Sequence, residues 1–522
     1  MPSERSLNDT AVRSVQNVSY CSAKARPWVL AATILGSSMA FIDGTVVNVA
    51  LPALQSSLNA TVVDVQWVIE SYGLLLSALI LTGGALGDTL GRRKVFLAGS
   101  TLFAIASIGC GLSQSIGVLL IARSVQGIGA ALLAPGSLAL ISACFDESTR
   151  GHAIGTWSGA TAITTALGPV IGGWLIQHVS WHWAFLINAP LAVAVIVISV
   201  LYVPESRDPA ARHIDWIGSL LATSGLGGVV FAFLESSNRG WKAPIVLGCH
   251  GFGVIALVAF VIFERDARDP MMPLAVFRSR NFSGANLLTM LLYAAIGIFF
   301  FVFPLNLIQV QHYSTTATGA ASLPMIVFMF LLSSWAGGLV AKVGPRIPLV
   351  VGPSIVAVGF LLFIIPSEHA RYFTSLFPAF LVLGFGMSIS VAPLTTVVMN
   401  SVDEHRAGTA SGINNAVSRA AGVLAIAVLS PILVHTFGHT LERSLDAKHL
   451  PSTVVADLRA HVVDLGALQP PPGLPDQTKD AVSHAVEHAF VYAFRWTMLI
   501  CACLAFASAG IAGRMISPAQ RE

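Results

Sequence analysis

Charge is what this chain has least of. Asp, Glu, Lys and Arg make up 11% of its 522 residues, against about 25% in an ordinary soluble protein. A water-soluble fold of this length needs far more polar surface than that. The net charge of +3 supplies no basic field for nucleic acid. Cysteine is scarce too, with six in all. Cys110, Cys144, Cys249, Cys501 and Cys503 lie in or at the ends of apolar runs, and Cys21 lies in a polar leader. None has C-x-x-C spacing, so neither a metal site nor a disulfide framework is expected. H-E-x-x-H, G-x-S-x-G and G-x-x-x-x-G-K are all missing, which argues against an enzyme. Residues 1–27 mix acids and bases without a short apolar stretch and cleavage site, so no secretory signal is read there.

Long apolar runs are what it has instead. Hydrophobic residues make up 55% of the chain, and the mean hydropathy is +0.75. With about 20 apolar residues needed per crossing, fourteen spans are predicted, at 28–52, 65–87, 95–113, 117–143, 151–176, 181–203, 215–234, 245–263, 283–309, 319–340, 348–365, 374–399, 408–435 and 490–512. An even number puts both termini on one side. If that side is the cytoplasm, the cytoplasmic segments hold nineteen Lys/Arg and the short outer loops three, namely Arg239, Lys242 and Arg371. The positive-inside rule therefore sets the orientation, in the cell membrane with both termini cytoplasmic. The longest loop, 436–489, carries an amphipathic pattern around TVVADLRAHVVDL and a PPPGLP break, and is expected to form an outer cap or tether. The histidines gathered outside, His178, His182, His435, His439, His484 and His488, read as solvated surface, with no metal assigned.

Ionisable groups inside spans are functional candidates because lipid burial is costly. Asp43 lies in the first span, Glu70 in the second and Arg123 in the fourth. At about 1.5 Å per residue they sit about 13, 8 and 9 Å below the outer helix ends. They therefore share a slab about 6 Å thick and can meet at one bundle centre. Two readings stay open. One is a static salt bridge. The other is a carboxylate whose affinity for a proton is set by desolvation and a nearby cation.

The fifth span reads GATAITTALGPVIGG. Its Gly155, Gly159, Ala162, Ala166, Pro169 and Gly173 step by 4, 3, 4, 3, 4 and make one small-residue face. Such a face lets backbones approach, and Pro169 allows a bend, so a hinge or sliding surface is expected. The turn GGALGDTLGRRKVF sets Asp88 beside Arg92, Arg93 and Lys94 between glycines, a charged clasp at the helix ends.

Together these motifs resemble the major facilitator superfamily, in its 14-span drug:proton antiporter branch. GALGDTLGRRK, through Gly84, Asp88, Gly91, Arg92 and Arg93, is similar to the superfamily's charged loop. RSVQGIGAALLAPG, with Arg123, Gln126, Gly127 and Gly129, resembles its fourth-helix motif. GPVIGG, through Gly168, Pro169, Gly172 and Gly173, resembles the antiporter motif of the fifth helix, with Gly159 upstream of it. DGTVVNVALP and WHWAFLINAP are similar to signatures of the 14-span branch. WAGGLVAKVGPR looks like a decayed second charged loop, and SGINNAVSRAAG like the branch's thirteenth span. In that stretch Ser411, Asn415, Ser418 and Gly422 form a polar stripe with Arg419 beside it.

The resemblance implies an all-α integral membrane protein of two six-helix bundles plus two inserted helices. The implied division is a leader 1–27, an N-terminal bundle 28–203, an insert 204–270, a C-terminal bundle 271–512 that includes loop 436–489, and a tail 513–522. It also implies proton-coupled export by alternating access. Asp43 would be the proton-responsive acid tuned by Arg123, Asp88 and Arg93 the clasp, and Gly168 and Pro169 the hinge. Glu70 matches no motif and hints at cationic substrates or a second proton. Candidate cavity residues are Asn48, Gln126, Tyr293, Phe299, Phe303, Asn306, Asn415 and Arg419. No cofactor is expected beyond the proton motive force. The expected partners are protons, the lipid bilayer and small amphipathic substrates, cationic or lipophilic, with an accessory envelope partner left open. An exporter of one metabolite, antibiotic or siderophore is the alternative, and a membrane-embedded enzyme the remote one.

Overall fold

The structure, a computed structural model, describes residues 21–145, 147–207, 214–268, 270–367, 370–402, 407–446, 452–471 and 474–518. Among these the regular structure is helical throughout. The long helices are α1 (Arg26–Ser57), α2 (Val62–Leu90), α3 (Arg92–Gly111), α4 (Ile116–Cys144), α5 (Glu147–His178), α6 (Trp183–Tyr202), α7 (Trp216–Arg239) and α8 (Pro244–Asp266). They continue with α9 (Arg280–Val310), α10 (segments Thr315–Ala321 and Leu323–Val343), α11 (Arg346–Leu362), α12 (Tyr372–Asn400), α13 (Ala407–Asp446) and α14 (Asp476–Met515). Thirteen of the described helices are long and apolar enough to cross a membrane, and α11 is shorter.

Local chemistry punctuates the run. Thr61 and Asp64 cap α2 reciprocally, and Asp215, Ser279 and Ser314 cap α7, α9 and α10. Gly91, at φ +118°, turns α2 into α3, and a side chain there would also run into the Glu205 carboxylate.

Helices α1–α6 pack together: α1 on α5 and α6, and α4 on α2 and α3. Helices α9–α14 do likewise, with α9 on α13 and α14, and α12 on α10 and α11. The two sets meet where α5 crosses α10 and α2 lies along α13. Helices α7 and α8 pack on each other, and α7 lies against α2 and α13. Thr82 and Ser219 share a hydrogen bond across that contact (2.5 Å).

Two expectations are corrected. Segment 436–489 is not mainly a loop, because α13 continues to Asp446 and α14 starts at Asp476. Phe437, Leu441 and Leu445 on one helix and Val482, Ala485, Val486 and Ala489 on the other are buried at helical spacing. These extensions are amphipathic, so a hydropathy window averages them away. Between them lie a short helix, Ser452–Ala460, and a 3₁₀ segment, Val462–Ala467, over the stretch read as amphipathic. The second correction concerns cysteine. Cys21 and Cys144 form a disulfide across 123 residues of sequence, while Cys110, Cys249, Cys501 and Cys503 are free. The pairing joins the leader to the end of α4, a proximity that spacing could not reveal.

The end of the molecule bearing 436–489 is called the capped end below. Asp88 lies at the other end.

Candidate functional site

The site grows from α1. Asp43 is fully buried because its face of α1 turns into the α1–α6 bundle. Arg123, also buried, reaches it from α4, with Nη1 donating to Asp43 Oδ2 (2.5 Å). Gln126, one turn along α4, donates from Nε2 to Asp43 Oδ1 (2.8 Å) and accepts from Arg123 Nη1 at Oε1 (2.7 Å). Asn188 of α6 adds a longer contact to Oδ1 (3.4 Å). Both amides also donate to Ser107 Oγ of α3 (3.0 Å each), and that hydroxyl donates to the Phe185 carbonyl (3.1 Å). Arg123 is held independently of the acid as well. Its Nε donates to the Val68 carbonyl (2.9 Å), and its guanidinium lies 4.2 Å from the Tyr72 ring centre and 5.7 Å from that of Phe185.

This network can lose a charge without collapse. A buried pair stripped of one partner usually costs about 3–5 kcal/mol because the other ion is orphaned. Here Arg123 would keep two carbonyl acceptors and two aromatic faces.

Helix α5 seats this network against the other bundle. A methyl group at Gly168 would meet Thr45 Oγ1 (2.5 Å), and one at Gly172 would meet the Val46 side chain (2.5 Å), so α5 lies flush on α1 beside Asp43. The opposite edge of α5 meets α10. Gly173 faces the Thr315 backbone, and Gly319 faces the Pro169 carbonyl. Followed along the small-residue face, the approach fades. At Gly159 an added methyl would come no closer than 3.9 Å to the Phe330 ring, and at Gly155 it would meet nothing within 4 Å among the described residues. Among those residues the seam is shut at the capped end and parted at the other.

The hydrogen bonds agree. Among the described residues, those joining α1–α6 to α9–α14 lie at the capped end. Thr315 Oγ1 donates to the Gly173 carbonyl (3.0 Å), Thr316 Oγ1 to Gln177 Oε1 (2.6 Å) and Gln309 Nε2 to Gln55 Oε1 (3.0 Å). Gln55 Nε2 donates in turn to the Asp464 carbonyl (3.3 Å). The next residue, Leu465, is fully buried at φ +52°.

Not every expected residue joins. Glu70 is fully buried but does not reach Arg123, and both its carboxyl oxygens and the amide of Gln66 one turn away lack hydrogen-bond partners. Its α2 register points elsewhere: Gly73, three residues on, faces Val423 of α13. The clasp also differs from expectation. Asp88 pairs with Arg92 (2.9 Å), not Arg93. Arg93 donates from Nη2 to the Val200 carbonyl and from its backbone N–H to Glu205 (3.1 Å each). A methyl group at Gly84 would lie 3.6 Å from Pro135 Cβ. Phe299 and Phe303 interlock with Phe360, Phe363 and Phe380 inside the α9–α14 bundle, and Asn306 is buried beside them in chain order at the π-helical end of α9. Asn48 is half-buried and bonded to the Gly44 carbonyl (3.1 Å), Asn415 is exposed, and Tyr293 and Arg419 are half-buried. Among the described residues no three His, Cys, Asp or Glu side chains converge as a metal requires.

Asn188, Ser107, Tyr72 and Glu205 were missed. Asn188 carried a usable signal, an amide at the start of an apolar span. Ser107 and Tyr72 carried none, being ordinary residues of apolar helices.

Compared with known families, residues 33–426 match the Major Facilitator Superfamily. The chain belongs to that superfamily. It is 34% identical to the multidrug resistance protein Stp of Mycobacterium tuberculosis (strain CDC 1551 / Oshkosh) over 450 residues, 83% of this chain and 82% of that one. It is 31% identical to the tetracenomycin C resistance and export protein of Streptomyces glaucescens, covering 94% and 91%. It is 34% identical to the puromycin resistance protein of Streptomyces alboniger, covering 78% and 82%. Its fold is shared by solved superfamily-type transporters of low identity. A bacterial homologue of the human lysosomal transporter Spinster, inward-facing and occupied, matches at TM-score 0.63 and 16% identity over 95% of this chain and 98% of that one. An auto-inhibited POT family peptide transporter matches at TM-score 0.64 and 14% identity over 95% and 98%.

Proposed function

We propose that this superfamily member exports small amphipathic drugs or toxic compounds across the cell membrane in exchange for protons, by alternating access. Both termini face the cytoplasm in this reading, so the capped end is outside and the structure is open inward. The working division is 28–203, 204–270 and 271–512. One observation carries the proposal. The buried Asp43–Arg123 pair lies on the stretch of α1 where Gly168 and Gly172 of α5 rest, and the other edge of α5 forms the closed seam with α10. Proton uptake on Asp43 releases Arg123 to its carbonyl and aromatic partners, loosens α1 beneath α5 and so bears on the seam. The membrane potential supplies about 2.3 kcal/mol per charge per 100 mV for each turnover. Glu70 serves as a second proton-exchanging carboxyl. With no partner in its buried setting, it bears charge when the outer end opens to water. Arg92–Asp88 and the Glu205-held start of α3 brace the inner rim.

The similarity to resistance proteins supports the class of cargo. The test is drug or dye uptake into everted vesicles with and without a pH gradient. Gradient-driven uptake is expected in the wild type and not in Asp43→Asn at equal membrane abundance. Wild-type uptake in that variant overturns the proposal. Relatives named for single antibiotics favour a narrower second reading, which a toxin panel separates: resistance to many unrelated compounds, or to one.

A further inference from the structure

Helix α13 carries a charge that nothing among the described residues pairs with. Arg419 stands about 18 Å along α13 from its Ala407 end, near mid-membrane in the reading above. Among the described residues it makes no hydrogen bond or ion pair, and the packing brings two tyrosine-bearing helices to its flanks: Gly73, next to Tyr72 on α2, faces Val423 of α13, and α9 carries Tyr293. Arginine stays protonated in any such setting, so its charge is permanent. The hydroxyl of Tyr72 is buried and unpartnered. The acid of the buried network, Asp43, is taken up by Arg123 and Gln126.

The packing of α13 shows what this group faces. One flank, Ala420, Val423, Leu424 and Ala427, packs with Leu74, Leu226 and Val230 of α2 and α7. Asn414 on another flank bonds to Asn286 and Thr289 of α9. Between them runs the stripe of Ser411, Asn415, Ser418, Arg419 and Gly422, with Asn415 exposed. Gly422 abuts Gly297 of α9 at backbone distance. One turn back along each helix, Tyr293 comes level with Arg419. The stripe therefore fronts the space between the bundles, on the side that is parted at the inner end. Ser418 Oγ and Asn415 Nδ2 donate to their own helix (2.8 and 3.1 Å), which leaves the guanidinium and the Tyr72 hydroxyl as donors without a hydrogen-bond partner among the described residues.

We propose that Arg419, Tyr72 and Tyr293 form an anion-recognising subsite, so that the amphiphile carried bears an acidic oxygen such as a carboxylate, phenolate or enolate. This rests on the export reading and narrows its cargo away from cations. Tyr72 also packs its ring on Arg123, so it lies between the cargo subsite and the proton site.

The test is binding of two xanthene dyes of similar shape and opposite charge, anionic fluorescein and cationic rhodamine 123, to the full chain in neutral-lipid nanodiscs, read by fluorescence anisotropy. Wild type is expected to favour fluorescein by tenfold or more. Arg419→Gln should lose that preference through weaker fluorescein binding with rhodamine 123 unaffected, and Arg419→Lys should keep it. Tyr72→Phe should weaken fluorescein alone. Equal or reversed dye preference in the wild type, no fluorescein binding up to its solubility, or an Arg419→Gln loss shared by both dyes overturns the proposal. Nanodiscs containing phosphatidylglycerol identify the source of the anion. Competition that disappears in Arg419→Gln shows a lipid-borne acidic oxygen at the site, and no competition shows a soluble one; both support the subsite. No gradient is present in this assay. Failed proton-driven uptake in vesicles would sink the export reading and leave the dye preference standing.

Discussion

Bulk added at the two ends of the α5 face should act in opposite directions. At Gly173 a side chain has no room, since the Thr315 backbone of α10 lies against it; at Gly155 nothing among the described residues stands within 4 Å. Overpacking a close contact costs about 1–3 kcal/mol. Spent on the seam closed at the capped end, that shifts the balance between the inward-open and outward-open states of the proposed cycle about 5- to 150-fold. Gly155→Val costs nothing in the structure described and is penalised only when the inner ends close, so it holds the carrier inward-open. The assay is oxidative cross-linking of Gln177→Cys with Thr316→Cys, a pair in hydrogen-bond contact across the outer seam (2.6 Å), on a background in which the native cysteines are replaced. The rate should fall with Gly173→Val added, by up to about 150-fold, and hold or rise with Gly155→Val. Equal rates in the two variants would refute the idea that this face opens and closes from its ends.

Two further predictions follow from groups outside the membrane. Asp464, half-buried in the cap with Asp64 and His461 nearby, is raised above the usual aspartate range, chiefly by burial. A raised carboxyl binds its proton more tightly when the cap is docked. Docking is therefore favoured at low pH and weakens as pH rises through the raised value. Protection of 462–467 against hydrogen exchange, taken relative to the intrinsic amide rate at each pH, should rise on acidification through that window, and Asp464→Asn should abolish that rise; an unchanged profile in the variant would assign the effect elsewhere. The Cys21–Cys144 bridge predicts four maleimide-reactive thiols in unfolded, unreduced protein and six after reduction. Six before reduction would show the bridge absent.

Much of this molecule could be read from residue order. Apolar runs fix where helices cross, because lipid tolerates little else. Rise per residue put Asp43 and Arg123 at matching depth, and the 4, 3 stepping marked the α5 face that meets α10. Depth, however, does not give azimuth. Glu70 lies at the same level as Arg123 yet looks toward α13, because its turn of α2 follows Gly73. Phe299 and Phe303 looked available for cargo, but aromatic rings gain as much from one another as from a ligand, and they went to the core. Arg92 took Asp88 because four residues along the chain bring the two together, leaving Arg93 to the end of α6. The amphipathic extensions of α13 and α14 stayed hidden for a simpler reason: half their residues are polar.

The central claim is that the Asp43 carboxyl takes up and gives back a proton despite its arginine. Infrared difference titration of the purified protein tests this most directly, comparing wild type with Asp43→Asn across the pH range over which gradient-driven uptake operates. The account predicts a protonated-carboxyl band that grows on acidification in the wild type and is missing from the variant. Identical spectra throughout that range would mean a permanently ionised Asp43 locked to Arg123, and would contradict it.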